Sequence, residues 1–475
     1  MNHRKLLDAY FEKHADEMLR DIQTLVRMPS LKAPPQDGAP FGMALAAVLD
    51  KALSIGREKG FLVKNFKNYV GTINFNEAET KLGILAHLDV MPEGAGWHYP
   101  AFDMTVDGER IYGRGVADDK GPAVAALYAM CAVKEICPEL PYNVRLILGT
   151  DEESGSADIA YYFPIEPAPP AVFTPDSDFP LINTEKGRFA TSFAANWEKG
   201  DFPCQVIEVH GADRHNVVPR EASAIVSGVD AADISTVLKK AEAQTGVHFS
   251  ARSEGQRTTV SAIGESAHGA RPENGNNALT ALLMVLSDLP LSDSRSASVI
   301  RGLHAMYPHG DTTGKALGIA CEDHISGALS MNFSMFDLNE TGFCARFDCR
   351  TPVEADQNAI YQRIEQAVQK FGAHVTNKAM VPPHHVPQDS PFVQTLLRIY
   401  HEYTGNEPYC LSIGGGTYVH NIDGGVAYGC AMPGVDNRMH GADEFSIIAD
   451  LILSAKIFAQ AILDLCGAEN NEKQI

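Results

Sequence analysis

The period of the hydrophobic positions changes along the chain, and each change marks an element. Leu6, Leu7, Tyr10, Phe11, Met18, Ile22, Leu25 and Val26 recur at helical spacing among many charges. This predicts an amphipathic helix packed on a domain. "MALAAVLDKALSIGREKGF" predicts a second helix, and "LVKNF", "VGTINF" and "KLGILAHLDV" then read as strands. "AVAALYAMCAVKEI" is an Ala-rich helix. "YNVRLILGTDEESG" and "PPAVFTPDSDFP" are apolar strands that run into acidic residues. Strands alternating with helices predict an α/β domain with a mixed, largely parallel sheet over residues 1–185.

Between 186 and 384 the texture differs. "RFATSFAANW", "CQVIEVHGA", "ASAIVSGV", "TTVSAIG" and "LSMNFSMFDLNETGFCARFDCR" alternate with period two, separated by helices such as "NALTALLMVLSDL". An α+β domain with antiparallel strands is predicted there. "VPPHHVPQDSP" (381–391) reads as a Pro-rich joint, after which a helix, two short strands and a final helix return to the first texture. The expected organisation is one discontinuous catalytic domain, 1–185 with 385–475, and an inserted domain, 186–384. The N-terminus does not read as a signal peptide. No run approaches the roughly 18 apolar residues of a membrane-spanning helix.

The net charge of −21 argues against nucleic acid or an anionic membrane as partner. Nine cysteines, an odd number with no CxxC pair, predict reduced and mostly buried thiols in a cytoplasmic protein, with neither a disulfide framework nor a Cys-based zinc site.

Candidate chemistry sits where apolar strands end. "LGILAHLDV" closes on His87-x-Asp89. Side chains at i and i+2 of a strand share a face, and ligands of open α/β sheets bind beyond the carboxyl ends of strands. "GRGVADDKG" supplies Asp118 and Asp119, "GTDEESG" supplies Glu152 and Glu153, "PDSDFP" supplies Asp176 and "RMHGADE" supplies His440. A mixed His and carboxylate set without Cys suits Zn²⁺, Mn²⁺ or Co²⁺. Spacing alone does not decide between Asp118 and Asp119, or between Glu152 and Glu153. His304, His309, His384 and His385 read as solvated or loop residues.

Together with "SAHGARPENGNNA", "DRHNVVP" and "SIGGGTYVH", these motifs resemble the dinuclear metallopeptidases of family M20, and within it the bacterial PepV-type dipeptidases, over nearly the whole chain. The resemblance implies two divalent ions per chain, with zinc expected and manganese or cobalt as alternatives. His87 and Asp176 would bind one ion and Glu153 and His440 the other, with Asp118 bridging and a cis peptide at Asp118–Asp119. Asp89 would fix the His87 ring. A water between the ions would attack the scissile carbonyl, with Glu152 taking its proton and passing it to the leaving amine. The inserted domain would act as a lid. From it, Asn216 and His268 would stabilise the oxyanion and Arg350 would hold the substrate's C-terminal carboxylate, while Gly415 would offer bare backbone N–H. The implied activity is that of a metal-dependent dipeptidase on unblocked dipeptides. An aminoacylase or other amide deacylase is the alternative with the same metal core. A non-catalytic peptide-binding protein is the alternative of another class, opposed by the presence of Glu152 and all five ligand positions. The long insert implies a monomer, with a homodimer as the alternative.

Overall fold

Helix His3–Val26 buries Leu7, Tyr10, Phe11, Met18, Ile22, Leu25 and Val26. Leu6 instead faces solvent, 46% exposed. The computed structural model describes residues 3–212 and 214–467. Within them the chain separates into two units. The first takes the segments up to Thr184, His385–Ser412 and from Gly416 onward; the second takes Glu185–His384 and Ile413–Gly415.

The first unit is built on a mixed sheet. Its strands run in the order Leu62–Phe66, Val70–Asn74, Asn143–Gly149, Thr80–His87, Ala171–Thr174, Val426–Ala427 and Ile182–Glu185. The central neighbours are parallel: Thr80–His87 with Asn143–Gly149 and with Ala171–Thr174, and Ala171–Thr174 with Val426–Ala427. The Leu62 edge is antiparallel. Strand Thr80–His87 is apolar on both faces because helices cover the sheet, as parallel strands require. Helix Lys120–Ile136 is buried almost throughout and packs on His3–Val26 and Ile448–Cys466. Its alanines allow that close approach. At its start, a Cβ on Gly121 would lie 2.0 Å from the Val116 carbonyl oxygen, so no larger residue fits. The three central parallel strands end on the same side, at His87, Gly149 and Thr174.

Part of the Pro-rich joint is strand, not loop. Val386 N donates to Asn183 O at 2.8 Å and Asn183 Nδ2 donates back to Val386 O at 2.7 Å. His385 Nδ1 lies 2.8 Å from Thr184 Oγ1. The non-proline residues between the prolines keep their amides, and those amides pair. His304 likewise lies in helix Arg295–Met306.

The second unit is an antiparallel sheet with helices. Its strands run His248–Glu254, Arg257–Ile263, Glu221–Ser227, Gln205–Gly211, Ser330–Asn339, Gly342–Thr351, Gly187–Phe189 and Met380–Val381. Phe343, Ala345, Phe347 and Cys349 enter its hydrophobic core. By the period of two, Arg346, Asp348 and Arg350 share the opposite face. Its helices start at side-chain caps: Asp230, Asn277, Ser294 and Asp356 each accept a hydrogen bond from the first turn.

All nine cysteines are free, and among the described residues no helix is long and apolar enough to cross a membrane.

A buried ion pair ties the two sequence flanks of the first unit together. Arg114 Nη1 is 2.6 Å from Glu444 Oε2. The other oxygen of Glu444 accepts the amides of Gly115 (2.9 Å), Ala117 (2.9 Å) and Asp118 (3.2 Å). Both side chains are at most 1% exposed. Glu444→Ala leaves a buried guanidinium without its carboxylate and is expected to cost about 3–5 kcal/mol of stability. Urea denaturation followed by circular dichroism measures this; an unchanged midpoint would mean that the pair does not hold the flanks.

Candidate metal centre

The strand ends bring imidazoles and carboxylates into one small space in the first unit. His87 closes strand Thr80–His87, and its ring is fully buried. Its Nδ1 donates to the main-chain oxygen of Asp89 at 2.9 Å. A carbonyl oxygen only accepts, so Nδ1 carries a hydrogen and Nε2 is the ring nitrogen that faces the cluster. There Nε2 lies 3.0 Å from Asp118 Oδ1 and 3.5 Å from Asp176 Oδ2. His440 Nε2 lies 2.9 Å from Asp118 Oδ2 and 3.1 Å from Glu153 Oε1. Asp118 thus turns one oxygen toward each imidazole.

Two sets of residues could each hold a metal ion. His87, Glu152 and Asp176 form one and Asp118, Glu153 and His440 the other, with ligand-type atoms of each set within 4.8 Å of one another. Glu152, expected to stand clear of the ions, has an oxygen inside the first set. Asp119 turns away: its Oδ2 accepts the backbone amide of His87 at 2.9 Å. That orientation separates the two aspartates, which spacing alone did not. The Asp118–Asp119 peptide is cis.

The Asp89 carboxylate does more than meet the ring. Its Oδ1 is 3.5 Å from His87 Nδ1. Oδ1 and Oδ2 accept the amides of Glu152 (3.1 Å) and Glu153 (3.0 Å). Asp158 Oδ2 accepts the two preceding amides, Thr150 (2.6 Å) and Asp151 (2.9 Å). It also accepts the hydroxyl of Tyr418. The His440 loop holds its ring with a backbone φ of 62°. Close by in that loop, Asp443 accepts the amide of His98 at 2.7 Å and lies 2.6 Å from its ring Nδ1. Asp158, Tyr418, Asp443 and Glu444 escaped sequence reasoning. The turn that Asp158 and Tyr418 hold is met only in three dimensions.

Without a cation the cluster is strained electrostatically. Burial, and then the nearby Asp176, Glu153 and Asp118, push the Glu152 carboxyl well above its usual range, against the pull of His87. Burial also raises Glu153 and Asp176. Burial works against charging His87, but Asp118, Asp176 and Asp89 outweigh it and raise its pKa. Asp118 and Glu153 push His440 up to about 11. His87 Nε2 and Glu153 Oε1 are buried and make no hydrogen bond of good geometry. A crowded N/O donor set with such atoms aimed inward fits divalent cations.

The other expected site residues lie in the second unit. Asn216 O accepts the amide of Gly269 at 2.7 Å, and Val217 pairs with His268 across a short antiparallel bridge. His268 Nδ1 accepts the amide of Ala270 at 3.2 Å, which places the ring hydrogen on Nε2. Arg350 is buried; its Nη2 donates to Asp348 Oδ2 at 2.7 Å and its Nη1 to Gly414 O at 2.5 Å. Its Nε is buried without a hydrogen bond. A Cβ on Gly414 would lie 2.8 Å from Ala270 Cβ and 3.6 Å from Arg350 Cγ, and one on Gly269 would lie 2.9 Å from Asp348 Oδ2. Asn216, His268 and Arg350 therefore share one neighbourhood. Gly415, next to Gly414, belongs to this unit too.

A mixed sheet with two such ligand sets at its strand ends is the arrangement of a metal-dependent hydrolase. The chain belongs to peptidase family M20/M25/M40, whose model matches residues 83–464. It is 34% identical to the Beta-Ala-Xaa dipeptidase of Lactobacillus delbrueckii subsp. lactis, across 99% of both chains. It is 35% identical to the putative dipeptidase YtjP of Bacillus subtilis (strain 168), across 95% of this chain and 97% of that one. The fold is similar to the crystal structure of human carnosine dipeptidase 1, with a TM-score of 0.60 at 16% identity, covering 98% of this chain and 99% of that one.

Ligand imidazoles bind metal in the neutral form, so loading must displace the extra protons that the carboxylates hold on His87 and His440. At pH 7 metal binding is expected to release protons, and affinity should rise with pH until His440 is neutral, near 11. Calorimetry in buffers of different ionisation enthalpy counts those protons. Binding without proton release would remove His440 from the ligand set.

Proposed function

We propose that the chain is a metal-dependent dipeptidase in which His87 and Asp176 hold one divalent ion, Glu153 and His440 a second, and Asp118 lies between them. The observation that carries this reading is the Asp118 carboxylate, one oxygen directed at each of two imidazoles. The likeness to the Lactobacillus dipeptidase over both full lengths supports the substrate class. Oxygen and nitrogen donors without a thiolate suit zinc, manganese or cobalt, and the family resemblance puts zinc first.

When bound, two such ions polarise the scissile carbonyl and acidify water. The residues do the rest. Glu152 accepts a proton from the attacking water and returns it to the leaving amine. A carboxylate does both only when its pKa lies above the ordinary range, and the burial of Glu152 works in that direction. Asp89 holds the amides on either side of that step's carboxylate. In the second unit, which we read as the lid, His268 Nε2–H and Asn216 are the donors to the developing oxyanion. Arg350, its guanidinium oriented by Asp348, takes the substrate's C-terminal carboxylate. Gly415 offers its amide to the substrate. Free thiols throughout support a cytoplasmic place of work, and the long insert supports a monomer.

Turnover of a dipeptide panel by apo-protein reloaded separately with Zn²⁺, Mn²⁺ and Co²⁺ tests the reading. Free dipeptides should be cleaved with at least one ion and with none in chelator. N-acylated amino acids should be poor substrates. Amidating the dipeptide C-terminus should weaken transition-state binding by about 2–5 kcal/mol through the unpaired Arg350. Full activity in chelator would overturn the metal assignment, and equal rates on amidated dipeptides would overturn the role of Arg350.

Glu152 and His440 should fail in different ways. Glu152→Gln is expected to keep its metal and lose about 10²–10⁴-fold in kcat. His440→Ala should lose metal. Elemental analysis of both variants separates base from ligand; equal metal loss would make Glu152 a ligand.

A further inference from the structure

Beside the Glu152–Glu153 turn lies a buried pair with no place in the scheme above. Asp158 and Tyr418 are 0% and 1% exposed. The Tyr418 hydroxyl donates to Asp158 Oδ2, and the same oxygen accepts the amides of Thr150 at 2.6 Å and Asp151 at 2.9 Å. Asp158 Oδ1 accepts the amide of Ile159 at 2.7 Å. On its ring side, Tyr418 meets His87 edge to face, with centroids 6.1 Å apart.

We propose that Asp158 and Tyr418 are positioning residues for the hydrolytic step: through the amides of Thr150 and Asp151 they set where Glu152 points. This rests on the reading of Glu152 as the proton acceptor.

Strand Asn143–Gly149 ends immediately before this turn, so the ladder no longer satisfies its amides. Four consecutive N–H groups, 150 to 153, must find acceptors in a buried place. Two carboxylates take two each, Asp158 the first pair and Asp89 the second. Asp89 lies two residues beyond the strand that ends in His87, and its carboxylate comes within 3.5 Å of the His87 ring. Asp158 stands outside the cluster, and Tyr418 is the hydroxyl that fixes one of its oxygens. The fit is tight. A Cβ on Gly149 would lie 2.0 Å from Tyr418 Oη and 2.5 Å from Asp158 Oδ2. The last strand residue is glycine because the pair fills the space a side chain would need. Thr150 Oγ1 donates to Tyr69 O at 2.7 Å and Lys32 Nζ reaches Asp151 Oδ1 at 2.5 Å, so the turn is also held from its side chains. Losing the Tyr418 hydroxyl should therefore loosen the turn without unfolding it. General acid–base catalysis is sensitive to such loosening, since a displacement of about 1 Å costs on the order of 10²-fold.

Tyr418→Phe keeps the ring against His87 and removes only the hydroxyl. It is expected to retain the parent's metal content and melting temperature within error. Its kcat should fall by about 10- to 10²-fold with little change in KM. Hydrogen exchange should quicken at amides 150–153 and nowhere else in the sheet. Asp158→Asn, which keeps one acceptor oxygen, should show the same pattern more strongly. An unchanged kcat together with unchanged exchange in Tyr418→Phe would overturn the proposal. So would a fall in kcat matched by loss of metal, which would place the pair's effect on the ligands. If the parent cleaved no dipeptide, the functional reading would fail by itself; exchange at 150–153 in the variant would still decide whether the pair holds the turn.

Discussion

Carboxylates crowd together in the first unit beyond what their charges tolerate alone, and most of its local structure follows from holding them there. Asp118, Glu152, Glu153 and Asp176 converge with only two imidazoles among them. Burial and mutual repulsion push three of the four toward protonation. Such a cluster persists only if its backbone cannot relax outward. The segments that carry His87, Asp118 and Glu152–Glu153 are each anchored by a further carboxylate: Asp119 on the amide of His87, Asp89 and Asp158 on the amides 150–153, Glu444 on those of 115, 117 and 118. Front-row carboxylates face one another across the cluster and back-row carboxylates fasten the chain. This is preorganisation in the sense that catalysis by fixed charges needs.

The front row was legible in the sequence and the back row mostly was not. Apolar runs ending in His87, in Glu152–Glu153 and in Asp176 announce themselves, because a buried strand that stops on charge is unusual. In the second unit the alternation that puts Phe343, Ala345, Phe347 and Cys349 in the core leaves Arg346, Asp348 and Arg350 on the opposite face. Asp158 and Tyr418 are 260 positions apart and meet only through the fold. Glu444 stood inside a quoted motif yet carried no signal distinguishing it from a solvated acid. Asp89 shows a subtler limit. The i, i+2 rule places it beside His87, but strand geometry ends at His87, so the carboxylate follows the turn and spends both oxygens on amides. Similarly, Pro-rich composition hid the paired amides of residue 386, since pairing depends on the residues between prolines.

The second unit distributes its chemistry differently. One sheet face carries Arg346, Asp348 and Arg350, and the loops bearing Asn216, His268 and Gly414 lie close upon it. Here glycines at 269 and 414 make the approach feasible, because each lacks the side chain that would collide. Asp348 takes one edge of the Arg350 guanidinium and so fixes its plane. A planar, oriented cation discriminates between a carboxylate and a neutral amide better than a mobile one.

The order of segments in the first unit also bears on how the protein is made. His440 and Glu444 are contributed by the stretch that follows the whole of the second unit. A chain emerging from the ribosome, at about 5–20 residues per second, exposes Asp118, Glu152 and Asp176 long before their last partners exist. Until then Arg114 lacks its counter-charge and one imidazole is missing. The cluster is thus completed by a stretch translated after the whole of the second unit, and until that stretch is made its acidic residues stand without His440 and Glu444.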